Sequence, residues 1–372
     1  MTNTREHLPE APICATHRAF VYERGGVNQM GELVGMIACE WGRSRDDIST
    51  AQVHLIGNEC CALLIDVGTV IHELHIYRAD EKVWQGVIVR IEFEYDGVDI
   101  YAEDLLWVAK RRVLEKGYDF RTTGVNAVSL FHSLASTECY GKYGDLWNMV
   151  PGLTPINGPS DPQSRRVINS FQTTIWMEMD KLAEDGGIDY TMVNRTLYYF
   201  DVHLKWVTLP TLLDEHVSSF PRIVEYGNEF ANRVFYTNGS GYAGVGLSDS
   251  GTLDTYTRYV DHLINVNNDG ADEEAPSTDV LANWTENAQR AVEKMYPPMQ
   301  SIVVPSNSTL MPTCPWNPNT LIPGSWHLVQ MQRLCRNVDE WQRLHTLRVI
   351  EDATGERVQI TCITAPSTFV LP

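Results

Sequence analysis

From Leu33 to Asp104, apolar runs of strand length follow one another with turn residues between them. Runs rich in Val, Ile, Leu and aromatic residues cover Leu33–Trp41, Ala51–Ile56, Ile71–Tyr77, Val83–Tyr95 and Val98–Ala102. Asp96-Gly97 separates the last two runs by two residues. This is the type I′ hairpin signal, because Asp and Gly tolerate positive φ at low cost. Ala79–Lys82 predicts a longer, charged hairpin turn. Strands this numerous do not stay flat and open, so a barrel or sandwich is expected.

The pattern then changes period. Glu103-Asp104 followed by LLWVAKRRVL predicts a helix of about three turns, with acids in its first turn and Lys110, Arg111 and Arg112 in its last, as the helix dipole favours. A second helix is expected over Asn126–Ser136, where Val128, Phe131 and Leu134 form one apolar stripe. The Gly- and Pro-rich stretch Tyr140–Pro162 suits a linker or long ordered loop. Gln172–Glu184 has helical spacing of Ile175, Met179 and Leu182 and stops at Gly186-Gly187, a left-handed cap. Strands are expected through Tyr190–Leu209 and Ile223–Leu247. The polar, acidic segment Asn267–Asp279 reads as an exposed loop. A helix over Val280–Lys294 ends before Pro297-Pro298, and beyond the Pro-rich stretch Pro305–Pro323 the last strands run near Trp326–Leu334, Leu344–Glu351 and Val358–Thr364. The expected class is α+β, mainly antiparallel β. It divides into a β-barrel domain with two helices over 1–140, a linker and α+β middle domain over 141–210, and a second β-rich domain over 211–372 that contains the acidic loop 267–279.

Composition narrows the function. A chain of 372 residues, 43% hydrophobic and 21% charged, can bury a large core. Its 29 Lys and Arg against 48 Asp and Glu leave a formal charge of −19, which argues against a general groove for phosphate backbones. An acidic wall around passing DNA remains compatible, since repulsion keeps the DNA from sticking. The opening MTNTREHLPEAPIC lacks the basic and apolar regions of a secretory signal, and no stretch reaches the ~18 apolar residues of a membrane helix, so a soluble protein made in the cytoplasm is expected. Cys14, Cys39, Cys60, Cys61, Cys139, Cys314, Cys335 and Cys362 form no C-x-x-C pair and read as buried free thiols. Ten tryptophans and sixteen tyrosines suit interfaces as well as cores.

Candidate chemistry is sparse. GSGYAG (Gly239–Gly244) fits G-x-G-x-x-G and follows a strand-like run, Arg233–Thr237, but VGLSDSG follows where a dinucleotide site needs a helix, so a glycine-rich hairpin is expected. His72 and His75 in HELH lack zincin spacing, and on a strand residues three apart face opposite ways. Glu178, Asp180, Glu184 and Asp185 read as the solvated face of a helix, with no partner carboxylate. No nucleophile elbow, P-loop or catalytic-cysteine signature occurs. No catalytic, cofactor-binding or metal residue is assigned, and no cofactor or enzymatic activity is expected.

One segment goes beyond composition. His72–Val113 reads HELHIYRADEKVWQGVIVRIEFEYDGVDIYAEDLLWVAKRRV. Glu73, Leu74, Tyr77, Arg78, Val83, Trp84, Gly86, Ile88 and Arg90, then Asp96, Val98, Ile100, Ala102, Asp104, Trp107, Arg111 and Arg112, match a pattern of minor tail proteins from phages of actinobacteria. The chain resembles the tail hub (baseplate hub, tail-tip) members of that family. LIPGSWHLVQ (Leu321–Gln330) and ERVQITCITAPS near the C-terminus are similar to it too. The resemblance implies a homotrimer in which each subunit contributes two tube-like β-barrel domains to a pseudo-sixfold ring joining tail tube to tip. It implies contacts with tail tube, distal tail, tape-measure and fibre or spike proteins, with DNA only in passage, no stable membrane insertion, and residence in the virion tail tip. Some relatives carry an added lytic domain, but no zinc or cysteine site for one is readable here. The alternatives are a virion-associated cell-wall hydrolase, which needs convergent carboxylates or a metal, and a host-binding module, which needs aromatics clustered in a groove.

Overall fold

A computed structural model describes residues 16–56, 66–120, 125–136, 148–151, 163–164, 167–184, 188–201, 211–227, 230–237, 241–248, 259–265, 278–296, 299–304, 309–332 and 337–364. The expected domain boundaries near 140 and 210, most of the acidic loop 267–279, Cys14, Cys60, Cys61, Cys139, Cys335 and Asp185 lie outside these residues.

The first seven strands are β1 (His17–Glu23), β2 (Gln29–Glu32), β3 (Met36–Ser44), β4 (Thr50–Ile56), β5 (His72–Arg78), β6 (Glu81–Phe93) and β7 (Gly97–Asp104). They pair antiparallel in the order β3-β4-β7-β6-β5-β1-β2. Period-two burial explains the central pair. Ala51, Val53 and Leu55 of β4 and Val98, Ile100 and Ala102 of β7 are buried, while Gln52, His54, Asp99 and Tyr101 lie on the opposite face. β1 was not expected from the sequence. Its seven residues, HRAFVYE, are charged at both ends, and continuous pairing with β5 from His17↔Arg78 to Glu23↔His72 recruits it into the sheet.

The hairpin turns exchange the roles expected of them. Ala79 and Asp80 both have positive φ, 50° and 64°, and join the Arg78↔Glu81 pair, so the two-residue type I′ turn is here. Asp96 and Gly97 have no positive φ. Gly97 is required by space instead, since a Cβ there would lie 2.6 Å from the Leu55 carbonyl oxygen. Alanine in the left-handed region is strained. Replacing Ala79-Asp80 by Asn-Gly should therefore raise the unfolding free energy by about 1 kcal/mol, read as a higher urea midpoint at unchanged slope.

The middle elements are α1 (Leu106–Arg111), β8 (Tyr118–Asp119), β9 (Val125–Asn126), α2 (Ala127–Ser133), β10 (Asn148–Pro151), β11 (Gln163–Ser164), β12 (Val167–Ile168), α3 (Ile175–Glu184), β13 (Ile188–Val193) and β14 (Thr196–Asp201). α1 is only six residues long, and neither acid lies in its first turn. Glu103 and Asp104 end β7, and buried Asp104 uses its carboxylate to accept hydrogen bonds from the Leu106 amide and from both the amide and hydroxyl of Ser49, at 2.6–2.9 Å. α2 starts where expected because the Asn126 side chain accepts from the Ser129 amide. Phe131 packs on Tyr190 and Tyr199, and with Leu106, Met179 and Leu182 they form the core of this part.

The remaining elements are β15 (Leu212–Leu213), β16 (Arg222–Tyr226), β17 (Arg233–Thr237), β18 (Ala243–Leu247), β19 (Asp261–Asn265), α4 (Thr278–Met295), β20 (Met299–Val303), β21 (Trp326–Met331), β22 (Val338–Asp352) and β23 (Gly355–Thr364). β22 joins the two ends of the chain. A bulge between Leu344 and Thr346 interrupts its pairing with β23, and at that point its neighbour on the other side changes. Val338–Arg343 pair with β21, and Thr346–Glu351 pair with β3. The result is one mainly antiparallel 13-stranded sheet, in which β16-β20-β23-β22 continues into β3-β4-β7-β6-β5-β1-β2, with β21 on β22 and β15 on β21. Among the described residues this path does not close on itself. Its core mixes Trp41, Val53 and Ile100 with Val349, Ile360 and Cys362. β17, β18, β19 and α4 enclose a separate core around Val234, Tyr236, Trp284 and Ala288.

Candidate functional site

The residues singled out in the sequence are mostly structural. Gly244, the last glycine of GSGYAG, lies within β18, in the hairpin with β17, and no helix opens there. A Cβ at Gly244 would meet the Trp284 carbonyl carbon at 2.2 Å, and one at Gly246 would meet that of Ala288 at 2.3 Å, so these glycines let α4 lie directly on the strand. His72 and His75 find separate partners. His72 Nδ1 accepts from the Gly68 amide at 2.8 Å, while His75 stacks on Tyr22 with ring centroids 3.9 Å apart. Glu178 departs from the expected solvated face. It is buried and holds Lys181 at 2.8 Å, because the α3 face that carries it packs inward. Asp180 accepts from the Tyr190 hydroxyl at 3.4 Å. Cys39, Cys314 and Cys362 are buried free thiols, and burial raises the pKa of each. Five of the tryptophans, Trp41, Trp84, Trp284, Trp316 and Trp326, are fully buried, so much of the aromatic abundance serves cores.

The residues quoted for the resemblance hold the sheet together. Arg78 forms a two-pronged ion pair with Glu356 of β23, at 2.7 Å on both prongs, tying the N-terminal strands to the C-terminal one. A Cβ at Gly86 would lie 2.2 Å from the Glu103 carbonyl oxygen and 2.4 Å from the Trp84 ring. Glu73 accepts from the Gly25 amide at 2.9 Å, Gln85 at 2.8 Å and Arg195 at 2.5 Å. Burial opposes ionisation of Glu73, but hydrogen bonds from His75, Arg195 and Gly25 outweigh it and hold the carboxyl down at about 2. Arg195 lies at the tip of the β13–β14 hairpin, so Glu73 pins that hairpin to the sheet. Nothing in the local sequence around Arg195 marks this pairing.

A second buried network sits where β13 meets the ends of β3 and β22. Asp189 receives Arg343 in direct contact and Arg45 at 3.7 Å, and Asp46 accepts from the Tyr190 amide at 2.8 Å. Burial, with Asp189 close by, pushes the Asp46 carboxyl up to about 7.

Buried histidines give a pH test. His327 is fully buried, its Nε2 2.8 Å from the Ser325 hydroxyl, and burial pushes its pKa down to about 4. The unfolded chain takes up this proton near pH 6.5 and the folded one only near 4. The stabilisation from His327 is therefore complete above pH 6.5 and is lost as pH falls toward 4. Relative to His327→Phe, the wild type should lose about 3 kcal/mol of unfolding free energy between pH 7 and pH 4, measured by urea unfolding. Contributions from Asp46 and Asp104 cancel in that difference, and a constant difference would refute the assignment.

The solvent-facing side of β22, β3, β4, β7 and β6 carries a group of polar side chains. Arg348 pairs with Glu40 at 2.6 Å, Gln52 donates to Asp99 at 3.1 Å, His54 Nδ1 lies 3.1 Å from the same carboxylate, and Arg90 lies 3.8 Å over the Tyr101 ring. A cleft of about 410 Å³ opens on it, where Glu40, Gln52, Arg90, Tyr101 and Glu103 stand beside apolar Ala51, Val89 and Ala102. Acidic and basic groups alternate here, so no single-sign groove forms for a polyanion. On the β17–β18–β19 sheet, the face away from α4 exposes Val245, Leu247 and Leu263, with Arg233 and Asp261 paired at 2.6 Å beside them. These two surfaces suit contacts with other macromolecules. No described helix is long and apolar enough to cross a membrane.

The sequence matches no protein-family profile and no curated protein. The fold is similar to solved phage tail proteins along nearly its whole length. The 43 kDa tail protein of prophage MuSo2 from Shewanella oneidensis has a TM-score of 0.60 at 14% identity, covering 95% of this chain and 100% of its own. A tail protein from Neisseria meningitidis gives 0.60 at 12%, covering 94% and 96%, and prophage tail protein gp18 from Listeria monocytogenes gives 0.59 at 11%, covering 94% and 95%. The E. coli protein c3393, a type VI secretion component described as structurally similar to T4 tail proteins gp27 and gp5, gives 0.52 at 9%, covering 94% and 77%. The chain therefore has the fold of phage tail and baseplate proteins.

Proposed function

We propose that this chain is a structural subunit of a phage tail tip, a hub ring that joins the tail tube to distal tip proteins and surrounds the DNA channel. The carrying observation is that its fold is similar to that of the MuSo2 tail protein over 95% of this chain and 100% of that one, at a TM-score of 0.60. Three further features support the reading. The chain ends meet in one sheet through β22 and β3, buried charged groups such as Arg43, Glu73 and Arg78 secure packing, and its polar sheet face carries interspersed charges suited to lining a conduit without holding DNA. In this reading three copies each contribute two tube-like β-barrel domains, and the neighbours are tail tube, distal tail, tape-measure and fibre or spike proteins.

Native mass by light scattering, with negative-stain images, tests it. Trimers or rings with a central opening, and antibody labelling at the tail tip of intact virions, are the expected results. A compact monomer at high concentration, together with virions that take no label at the tip, would overturn the proposal.

A further inference from the structure

We propose that the outer face of the β17–β18–β19 sheet docks one amphipathic helix of a different protein of the same particle. The inference rests on the tail-subunit reading above and gives the chemistry of one neighbour. Strand register places the side chains. β18 and β19 both pair with β17, so Val245, Phe235 and Leu263 stand side by side in one row across the three strands, and Leu247, Arg233 and Asp261 form the next. Contacts put both rows on one face: Arg233 grips Asp261 at 2.6 and 2.7 Å and lies 5.0 Å over the Phe235 ring. The residues that alternate with these, Val234, Tyr236 and Gly244, face the other way, onto Trp284 and Ala288 of α4.

The first row is apolar and open to solvent. Leu263 is 62% exposed and Val245 36%, with Leu247 beside them at 46%. Leucine, valine and phenylalanine adjacent on one sheet face form a contiguous patch, unlike the single exposed apolar residues common on monomers, and such patches mark contact surfaces. The charges at its border cancel. Arg233 and Asp261 satisfy each other, and the row on the far side, Ala243, Thr237 and Asn265, adds none.

Size and chemistry select the occupant. Each of the three strands is 5 residues long. Their spacing and rise make a face of about 15 by 17 Å, on the order of 250 Å². A stable pair of globular partners buries about 800 Å² on each side, so this patch alone does not hold a second copy of the chain. A polyanion gains little, since the one guanidinium is already paired. An extended strand laid across the face would leave its own backbone groups without partners. A helix satisfies its backbone internally, is about 10 Å wide and spans about 16 Å in three turns, so one apolar stripe spaced i, i+3, i+4, i+7 fits the patch. On the opposite face α4 already packs in this manner, with one side of the helix against β17 and β18.

The test replaces Leu263 in the full chain by the photo-crosslinking amino acid p-benzoylphenylalanine, irradiates intact virions and identifies the crosslinked peptide by mass spectrometry. The expected peptide belongs to another virion protein and carries apolar residues at i, i+3 or i+4, and i+7 around the crosslink. In parallel, the Val245→Thr, Leu263→Gln double variant should keep the wild-type urea midpoint, because both side chains stand at the surface, and should enter tails about tenfold less well in competition with the wild type. A crosslink to a copy of this chain, a peptide of strand-like alternation, or no crosslink in virions that contain the protein would overturn the inference and leave the tail-subunit reading standing. So would a double variant that enters tails as well as the wild type. Virions that lack the protein altogether would remove both.

Discussion

Arg43→Ala should lower the unfolding free energy by about 3–5 kcal/mol, among the largest effects of any single substitution in this chain. Arg43 is 1% exposed on β3, with its guanidinium 5.2 Å over the Trp41 ring. Its donors serve four backbone carbonyls: Nη1 reaches Leu321 at 2.6 Å and Pro318 at 3.3 Å, and Nη2 reaches Val83 at 2.7 Å and Asn319 at 3.1 Å. Burial lowers its pKa to about 10, so the group remains charged at neutral pH. One side chain thus fastens the segment 318–321 to both β3 and β6. Truncation would leave buried acceptors unsatisfied and open a cavity, and each of those changes costs free energy. Arg43→Lys should recover only part of the loss, because an ammonium has three donors and cannot reproduce the planar fork. Urea unfolding measures both variants, and limited proteolysis should report cleavage near residue 319. A loss below about 1 kcal/mol for alanine would mean that water replaces the guanidinium, contrary to the assigned role.

Gly244→Val is expected to cost about 3 kcal/mol or more and to detach α4 from β18. The added Cβ would fall 2.2 Å from the Trp284 carbonyl carbon and 2.3 Å from the Thr285 nitrogen, both backbone atoms that no rotamer change can move aside. Gly246→Ala meets the Ala288 backbone at 2.3 Å and should behave alike. Gly241→Ala is the contrast: nothing lies within 4 Å, and only its φ of +88° is unfavourable, so a loss of about 1 kcal/mol is expected. Trp284, buried against this contact, gives the readout, since its fluorescence should shift to the red in the Gly244 and Gly246 variants and stay unchanged at Gly241.

Local physics alone settled a good deal. Apolar runs bounded by turn residues located β3 to β7, the spacing of Ile175, Met179 and Leu182 located α3, and the absence of a helical pattern after GSGYAG pointed to the strand β18 that Gly244 occupies, because each depends only on neighbours in sequence. The resemblance carried by Glu73, Arg78, Trp84 and Gly86 pointed to tail proteins, and the fold agrees with that at the level of the tail and baseplate class. What escaped the sequence depends on residues far apart in it. β1 exists because β5 supplies its hydrogen bonds, and the helix forecast after Glu103-Asp104 shortened because Ser49, 55 residues earlier, holds Asp104 in the strand. The type I′ turn moved from Asp96-Gly97 to Ala79-Asp80, since close approach of the Leu55 carbonyl fixes Gly97 by space and not by dihedral angle. Glu178 was drawn inward by packing of α3, and Arg195 met Glu73 across 122 residues. A sequence records which residues can be buried or turned, but long-range pairing decides which of them are, because the hydrogen bonds and desolvation that settle each case come from distant strands.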